Sequence, residues 1–268
     1  MRVVSLADNV PGTCRGEHGL SLYIELSSGF KVLFDTGQGS LFCENADRLG
    51  IDISDIDALV ISHGHYDHGG GLGCFFEKNT KASAFVQRTA FERHYSLKEY
   101  GLKDIGLDAG LLERFRERIV LCGLRKAVSP EIELFVNSAN DFPAPEGNST
   151  LIGPDSVARD DFSHEQSMLV RDAGKVCVFG GCAHCGAVNI LATAQSLSSS
   201  GVDCFISGLH LMRGCTQEYI TRLASSLLEQ GDCRYVTMHC TGFDNYLSLK
   251  RILGDRVSYL PCGNSIEI

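Results

Sequence analysis

Three histidines and an aspartate fall within six residues, His63-Gly64-His65-Tyr66-Asp67-His68, directly after the apolar run from Asp57 to Ser62. In an extended backbone, side chains two apart point the same way, so His63 and His65 can hold one cation together. Asp67 and His68 follow at the turn, placed to face a second cation. Gly64 and the triplet Gly69-Gly70-Gly71 leave room for the backbone to bend tightly around such a centre. Mixed imidazole and carboxylate donors suit zinc, iron or manganese rather than calcium. A chance cluster in a solvated loop is the plainer reading, but four such donors in six residues argue against it. A centre of this kind needs further ligands from elsewhere, so the fold must bring several strand ends to one place.

The rest of the chain offers those strand ends. Arg2 to Leu6, Leu20 to Leu26 and Lys31 to Phe34 are β-rich, with Ser27-Ser28-Gly29 as a hairpin turn between the last two. Asp35-Thr36-Gly37-Gln38-Gly39 is a glycine-rich loop, and Ser40 to Gly50 has helical spacing with Gly50 as its stop. The stretch from Cys74 to about Phe162 is less regular. Within it, the spacing predicts helices over Thr89 to Tyr100 and Ala109 to Glu117, and strands over Arg118 to Leu121 and Ile132 to Val136. Asn137 to Asp161, with three prolines, reads as a long loop. His94 lies in the first of those helices and reads as solvent-facing. Order returns with strands at Ser167 to Val170, Lys175 to Phe179, Val202 to Ile206, Tyr235 to Met238 and Val257 to Leu260. Helices are expected at Ala187 to Leu197, Thr216 to Glu229 and Asn245 to Leu253. A β-rich start followed by alternating strand and helix suits two sheets packed together under helices.

The run His63-Gly64-His65-Tyr66-Asp67-His68 resembles the signature of metallo-β-lactamase superfamily hydrolases, and Phe34-Asp35-Thr36-Gly37 resembles that family's first motif. Further segments resemble a subgroup, the methanopterin-pathway dihydropterin synthase-like proteins. These are Glu17-His18-Gly19-Leu20-Ser21, Gly181-Cys182-Ala183-His184, Gly208-Leu209-His210-Leu211 and His239-Cys240-Thr241-Gly242. The resemblance spans most of the chain and is thinnest in the middle third. It implies an α/β fold, a four-layer αβ/βα sandwich of two mixed sheets flanked by helices, over residues 1–268 as a single domain with a less regular insertion at about 74–162. It implies that Asp35 buttresses the ligands and that His184 and His239, both at strand ends, join His63, His65, Asp67 and His68 as ligands. A lone histidine of this kind is more often a core or capping residue. Glu17, His18 and Cys182 are expected to orient ligands or line the pocket, although Glu17 and His18 equally fit a surface turn. His210 is expected to line the site and donate a proton, with ligation as its alternative. One departure stands out: many relatives carry a bridging aspartate after the strand corresponding to Val176-Cys177-Val178-Phe179, and Gly180-Gly181-Cys182 holds no acid. Ser163-His164-Glu165-Gln166 matches only loosely the usual histidine ahead of that strand, which makes His164 a reserve ligand.

The implied activity is hydrolysis of a phosphoester or similar small molecule by metal-activated water. One or two divalent ions would serve, zinc first, with iron or manganese accepted by the same donors. Asp67 would bind metal and orient the nucleophile. Transferase chemistry on a dihydropterin diphosphate is the alternative from the subgroup, and a metal-dependent sensor without turnover is a third. A fourth comes from Cys182-Ala183-His184-Cys185, a CxxC at a helix start, where a redox protein would carry a thiol of lowered pKa. A formal net charge of −9 argues against a nucleic-acid binder, although local patches can oppose the total, and leaves a small-molecule partner as the expectation. No stretch reaches the ~18 apolar residues of a membrane span. Asp8 interrupts the first apolar run, so no signal peptide is expected. Twelve cysteines, most inside apolar runs, fit reduced thiols and a cytoplasmic setting. Nothing in the sequence marks an oligomeric state.

Overall fold

Hairpins from the β-rich start and strand–helix–strand units from the remainder build two sheets of seven strands each in a computed structural model, which describes residues 1–198 and 200–268. The first half of the chain runs β1 (Arg2–Ala7), β2 (Ser21–Glu25), β3 (Lys31–Phe34), α1 (Leu41–Leu49), β4 (Ala58–Val60), α2 (Tyr66–Gly69), α3 (Leu72–Lys78), β5 (Ser83–Gln87), β6 (Tyr95–Lys98), β7 (Gly101–Asp104), α4 (Ala109–Arg114) and β8 (Ile119–Cys122). It continues through β9 (Arg125–Ala127), β10 (Ile132–Phe135), β11 (Leu151–Ile152), β12 (Ser167–Asp172), β13 (Lys175–Phe179), α5 (Ala187–Leu197), β14 (Cys204–Ser207), α6 (Gln217–Leu228), β15 (Arg234–Thr237), α7 (Phe243–Leu253), β16 (Val257–Tyr259) and β17 (Ser265–Glu267).

The first sheet has the order β17-β1-β2-β3-β4-β5-β8 and the second β16-β15-β14-β13-β12-β10-β9. Both are mixed. β1, β2 and β3 pair antiparallel and β3, β4, β5 and β8 parallel. In the second sheet β10, β12 and β13 pair antiparallel and β13 to β16 parallel. Strand alternation then makes the layers. Val32 and Phe34 of β3 face Cys177 and Phe179 of β13 across an inter-sheet core. Leu33 points the other way, into a cluster with Phe42 of α1 and Phe75 of α3. Val176 and Val178 meet α5 and α6 through Ile190, Leu191, Ile220 and Leu223. The result is the expected four-layer αβ/βα sandwich. No helix among the described residues is long and apolar enough to cross a membrane.

Parallel strands share an end. The loops after β3, β4, β13, β14 and β15 carry Asp35, His63 to His68, Cys182 to His184, His210 and His239, so the topology delivers every named donor to one edge of the sandwich, as open α/β sheets do with their ligand sites.

Two expectations are corrected. Residues 89–100 are not a helix: after a turn, Tyr95–Lys98 forms β6 and pairs with β7 around Glu99-Tyr100, closed by Gly101 at φ 116. Cross-strand pairing there overrides a helical spacing that never carried a continuous apolar stripe. His94 consequently lies inside the protein, 2% exposed, rather than facing solvent. Strands β5 and β17 and helices α2 and α3 were not anticipated. β5, inside the stretch that looked irregular, is a central strand of the first sheet.

Phe179 is fully buried between the sheets, 6.1 Å ring to ring from Phe34. Phe179→Ala is expected to lower unfolding free energy by about 3–5 kcal/mol. Guanidinium unfolding checks this, and a loss below about 1 kcal/mol would contradict the packing described.

Candidate metal centre

Asp35 anchors the centre. It follows β3 with φ 62, a conformation that costs free energy for any residue with a side chain and needs surrounding structure to hold it. Its carboxylate accepts the Ser62 N–H (2.7 Å), the Ser62 hydroxyl (2.7 Å) and the His68 Nδ1–H (2.7 Å). Thr36 ties the same loop to the His68 carbonyl through its N–H, 2.7 Å. At Gly71 an added Cβ would lie 2.4 Å from the Thr36 carbonyl oxygen and 2.5 Å from that of Gly39, so only glycine allows the two loops to pack.

These contacts fix which ring nitrogens turn outward. His68 gives Nδ1 to Asp35 and is left with Nε2. His63 gives Nδ1 to Ser62 (2.8 Å), His239 gives Nδ1 to Asn9 (2.8 Å) and His184 gives Nδ1 to Asn148 (2.9 Å). The free atoms gather in two groups. His63 Nε2 lies 3.0 Å from His65 Nδ1, and His63, His184 and Cys182 offer donor atoms within 4.8 Å of one another. In the second group, His68 Nε2 is 3.2 Å from His239 Nε2 and 3.2 Å from Cys182 Sγ, and His239 Nε2 is 3.4 Å from Asp67 Oδ2. Ligands of a tetrahedral ion with bonds of about 2.0–2.3 Å stand roughly 3.3–3.8 Å apart, so the donors here lie within a few tenths of an ångström of metal-ligand spacing. His184 Nε2 is buried with no hydrogen-bond partner, another sign of a site that fits a cation. Cys182, expected only to line the pocket, contributes to both groups and to a third with His210 and Cys240. Its thiol stands where the sequence lacked a bridging acid.

The electrostatics agree. Burial first, and neighbouring histidines second, hold His63 and His184 well below the ordinary histidine range, keeping them as the neutral imidazoles that metals bind. His65 is lowered likewise, by burial and then by His164. Burial would raise Asp67, but hydrogen bonds from His18 and His239 more than reverse this and keep it an anion. Burial works against a charge on His239, yet Cys240 and Asp67 lift it to about 9.

The remaining expected residues divide. His18 Nε2 is 3.1 Å from Asp67 Oδ2, at the cleft rim, and fits an orienting role. Glu17 reaches toward Gln38 Nε2 (3.4 Å) and so supports the Asp35 loop from behind, outside the cleft. His210, in a strained backbone at φ 48, lies beside His184 (rings 4.3 Å apart) with its Nδ1 buried and unpartnered. His164 is fully engaged: Nδ1 accepts the Gly64 N–H at 2.9 Å and Nε2 meets Asp160 at 3.1 Å, with His94 on the same carboxylate at 3.0 Å. His65, Asp160 and His164 also converge within 4.8 Å, but His164 has no nitrogen to spare. The CxxC departs from the redox expectation. Burial first and Glu165 second push the Cys185 thiol up, and burial raises Cys182 too, opposite to an activated thiol. All twelve cysteines are free.

Sequence reasoning missed Asn9, Ser62, Asn148 and Glu165, which hold His239, His63, His184 and the Cys182–Cys185 turn. Asn9 and Ser62 do follow strands that run to the site edge, the one signal that could have found them. The groups open onto a cleft of about 250 Å³ lined by His18, Tyr66, Asp67, Cys182, His184, His210 and His239, among others.

The sequence profile of the Metallo-beta-lactamase superfamily matches residues 14–193. An uncharacterised protein of Methanocaldococcus jannaschii is 26% identical over 240 residues, covering 88% of each chain. A 7,8-dihydropterin-6-methyl-4-(beta-D-ribofuranosyl)-aminobenzene-5'-phosphate synthase of the same organism is 27% identical over 91% of this chain and 88% of its own. Among solved structures, a metal-dependent hydrolase of the beta-lactamase superfamily aligns over 100% of this chain and 99% of its own with TM-score 0.82 and 25% identity. Zn(2+)-bound PqqB from Methylobacterium extorquens shares the fold at TM-score 0.57 and 12% identity, with 100% of each chain covered.

Elemental analysis of the purified protein is expected to give about two divalent ions per chain, falling to about one in His184→Ala and in His239→Ala and further in Cys182→Ala. Unchanged content in all three variants would refute the donor groups.

Proposed function

This chain belongs to the metallo-beta-lactamase superfamily, and from that premise we propose that it is a metal-dependent hydrolase of small phosphoesters. One observation carries the reading: two convergent donor groups share Cys182 and open onto a small cleft that also holds an unpartnered histidine, His210. The Cys182 sulfur favours zinc over harder ions such as manganese. Two such ions supply Lewis acidity and a water acidified to about neutral pKa.

The chain's own residues do the rest. His18 and His239 hold the Asp67 carboxylate from two sides, so it stays anionic and aimed at the cleft floor as an acceptor. His210 lines the cleft beside His184, so its ring is placed to carry a proton to the oxygen that departs from the substrate. Phe162 stacks on His184, rings 4.5 Å apart and nearly parallel, and shields that ligand from water.

A second reading has a specific basis in the named synthase relative: diphosphate displacement from a dihydropterin rather than hydrolysis. Release of diphosphate only when an aromatic amine is present would favour it.

Turnover of bis(p-nitrophenyl) phosphate is expected, abolished by chelation and restored by zinc. His210→Ala is expected to cost about 10²-fold or more in kcat on adenosine 2',3'-cyclic phosphate, whose alkoxide leaving group needs a proton, and far less on the nitrophenyl ester. No chelator-sensitive turnover of either ester would overturn the hydrolase reading, and equal losses on both would overturn the role of His210.

A further inference from the structure

The floor of the cleft is built for metal ligation, whereas its mouth is built for something else. β6 and β7 form one wall. Lys98 pairs with Gly101 and Ser96 with Lys103, so Ser96, Lys98 and Lys103 share one face of the hairpin while Leu97 and Leu102 occupy the other. That polar face is the one that lines the cleft.

Across from it is Arg213, three residues beyond His210. Its loop is held by the Met212 N–H on the Cys240 carbonyl (2.9 Å) and packs against Gly147, where a Cβ would lie 2.6 Å from the Arg213 carbonyl oxygen. Three cations from two separate segments thus ring one opening, in a chain whose formal net charge is −9.

No carboxylate neutralises them: among the described residues none of the three makes a salt bridge or a side-chain hydrogen bond. Slight burial first, and then the positive charges of Arg213 and Lys103, hold the Lys98 ammonium below its ordinary value. Unpaired like charges held together repel, and an anionic ligand is what would relieve that.

Position separates this cluster from the reacting centre. Lys103 Nζ lies 5.5 Å above the Tyr66 ring, and Tyr66 stands between His65 and Asp67. Lys103 thus packs over a residue that lies between two candidate ligands, and none of the three cations belongs to a donor group. Three positive charges also match a phosphate dianion better than a single carboxylate.

We infer that Lys98, Lys103 and Arg213 form a clamp for a second, non-reacting phosphate monoester group of the substrate, which anchors the molecule while its scissile ester lies at the metal donors. The inference rests on the cleft being the substrate site, as proposed above. The preferred substrates are then small phosphoesters bearing an additional terminal phosphate.

Ribose 5-phosphate, ribose and ribonate serve as probes, each titrated calorimetrically into metal-loaded and EDTA-treated protein and tested as inhibitors of bis(p-nitrophenyl) phosphate turnover. Ribose 5-phosphate is expected to bind both forms at least about tenfold more tightly than ribose or ribonate, and to weaken about fivefold in each of Lys98→Ala and Arg213→Ala. Lys98→Arg should keep the affinity, and added salt should lower it. Ribose 5-phosphate affinity that is unchanged in both alanine variants, or confined to the metal-loaded form, overturns the clamp. Ribonate binding as tightly as ribose 5-phosphate overturns its assignment to phosphate. Diester turnover in the wild type judges the hydrolase reading separately: cation-dependent binding without turnover upholds the clamp and defeats that reading, and the reverse result defeats the clamp alone.

Discussion

Two buried imidazole nitrogens, His63 Nε2 and His65 Nδ1, lie 3.0 Å apart, and burial resists a positive charge on either ring. Next to them His184 Nε2 has no partner at all. Leaving buried polar atoms unsatisfied is costly, and natural proteins do so rarely and with reason. A cation held among His63, Cys182 and His184, whose donor atoms lie within 4.8 Å of one another, would satisfy that atom. The same holds across Cys182, where His68, His239 and Asp67 crowd together. On the proposed reading, much of the local detail at this edge is preparation for such ions.

That preparation is visible in the backbone. Asp35, Ala183, His210 and His239 all adopt positive φ without being glycine, and all four lie in loops after strands at the same edge of the sandwich. Two of the four are locked by partners: Asp35 by Ser62 and His68, His239 by Asp8 and Asn9. The two packed sheets provide the rigidity that holds these conformations, and the loops provide the chemistry. Strain concentrated at one edge of a well-packed core is the pattern expected of a functional site.

Much of this was legible in the sequence, and the limits are instructive. The histidine cluster, the Asp35 loop and the strand ends at His184 and His239 could be read because each couples local periodicity to donor chemistry. The helices α5, α6 and α7 were legible from spacing and caps, such as Thr216 before α6. β5 escaped because Ser-Ala-Phe-Val-Gln is short and its partners, β4 and β8, are set only by long-range pairing. His94 was misplaced for a related reason: its burial depends on Asp160, 66 residues away, and no local pattern encodes that contact. Cys182 was undervalued because an absent acid looked like a missing ligand, whereas a thiol in the same place offers a softer donor. Asn9 and Asn148 act through single hydrogen bonds, which leave no periodic trace.

Fold, strain and electrostatics bear together on one proposal, that these side chains hold a pair of metal ions on either side of Cys182. X-ray diffraction from crystals of the metal-loaded protein, recorded at the absorption edge of the bound metal, tests it most directly. Two anomalous peaks are predicted, one among His63, His65 and His184 and the other among Asp67, His68 and His239, with the Cys182 sulfur between them. Anomalous density located elsewhere, or none among these side chains, would contradict the account.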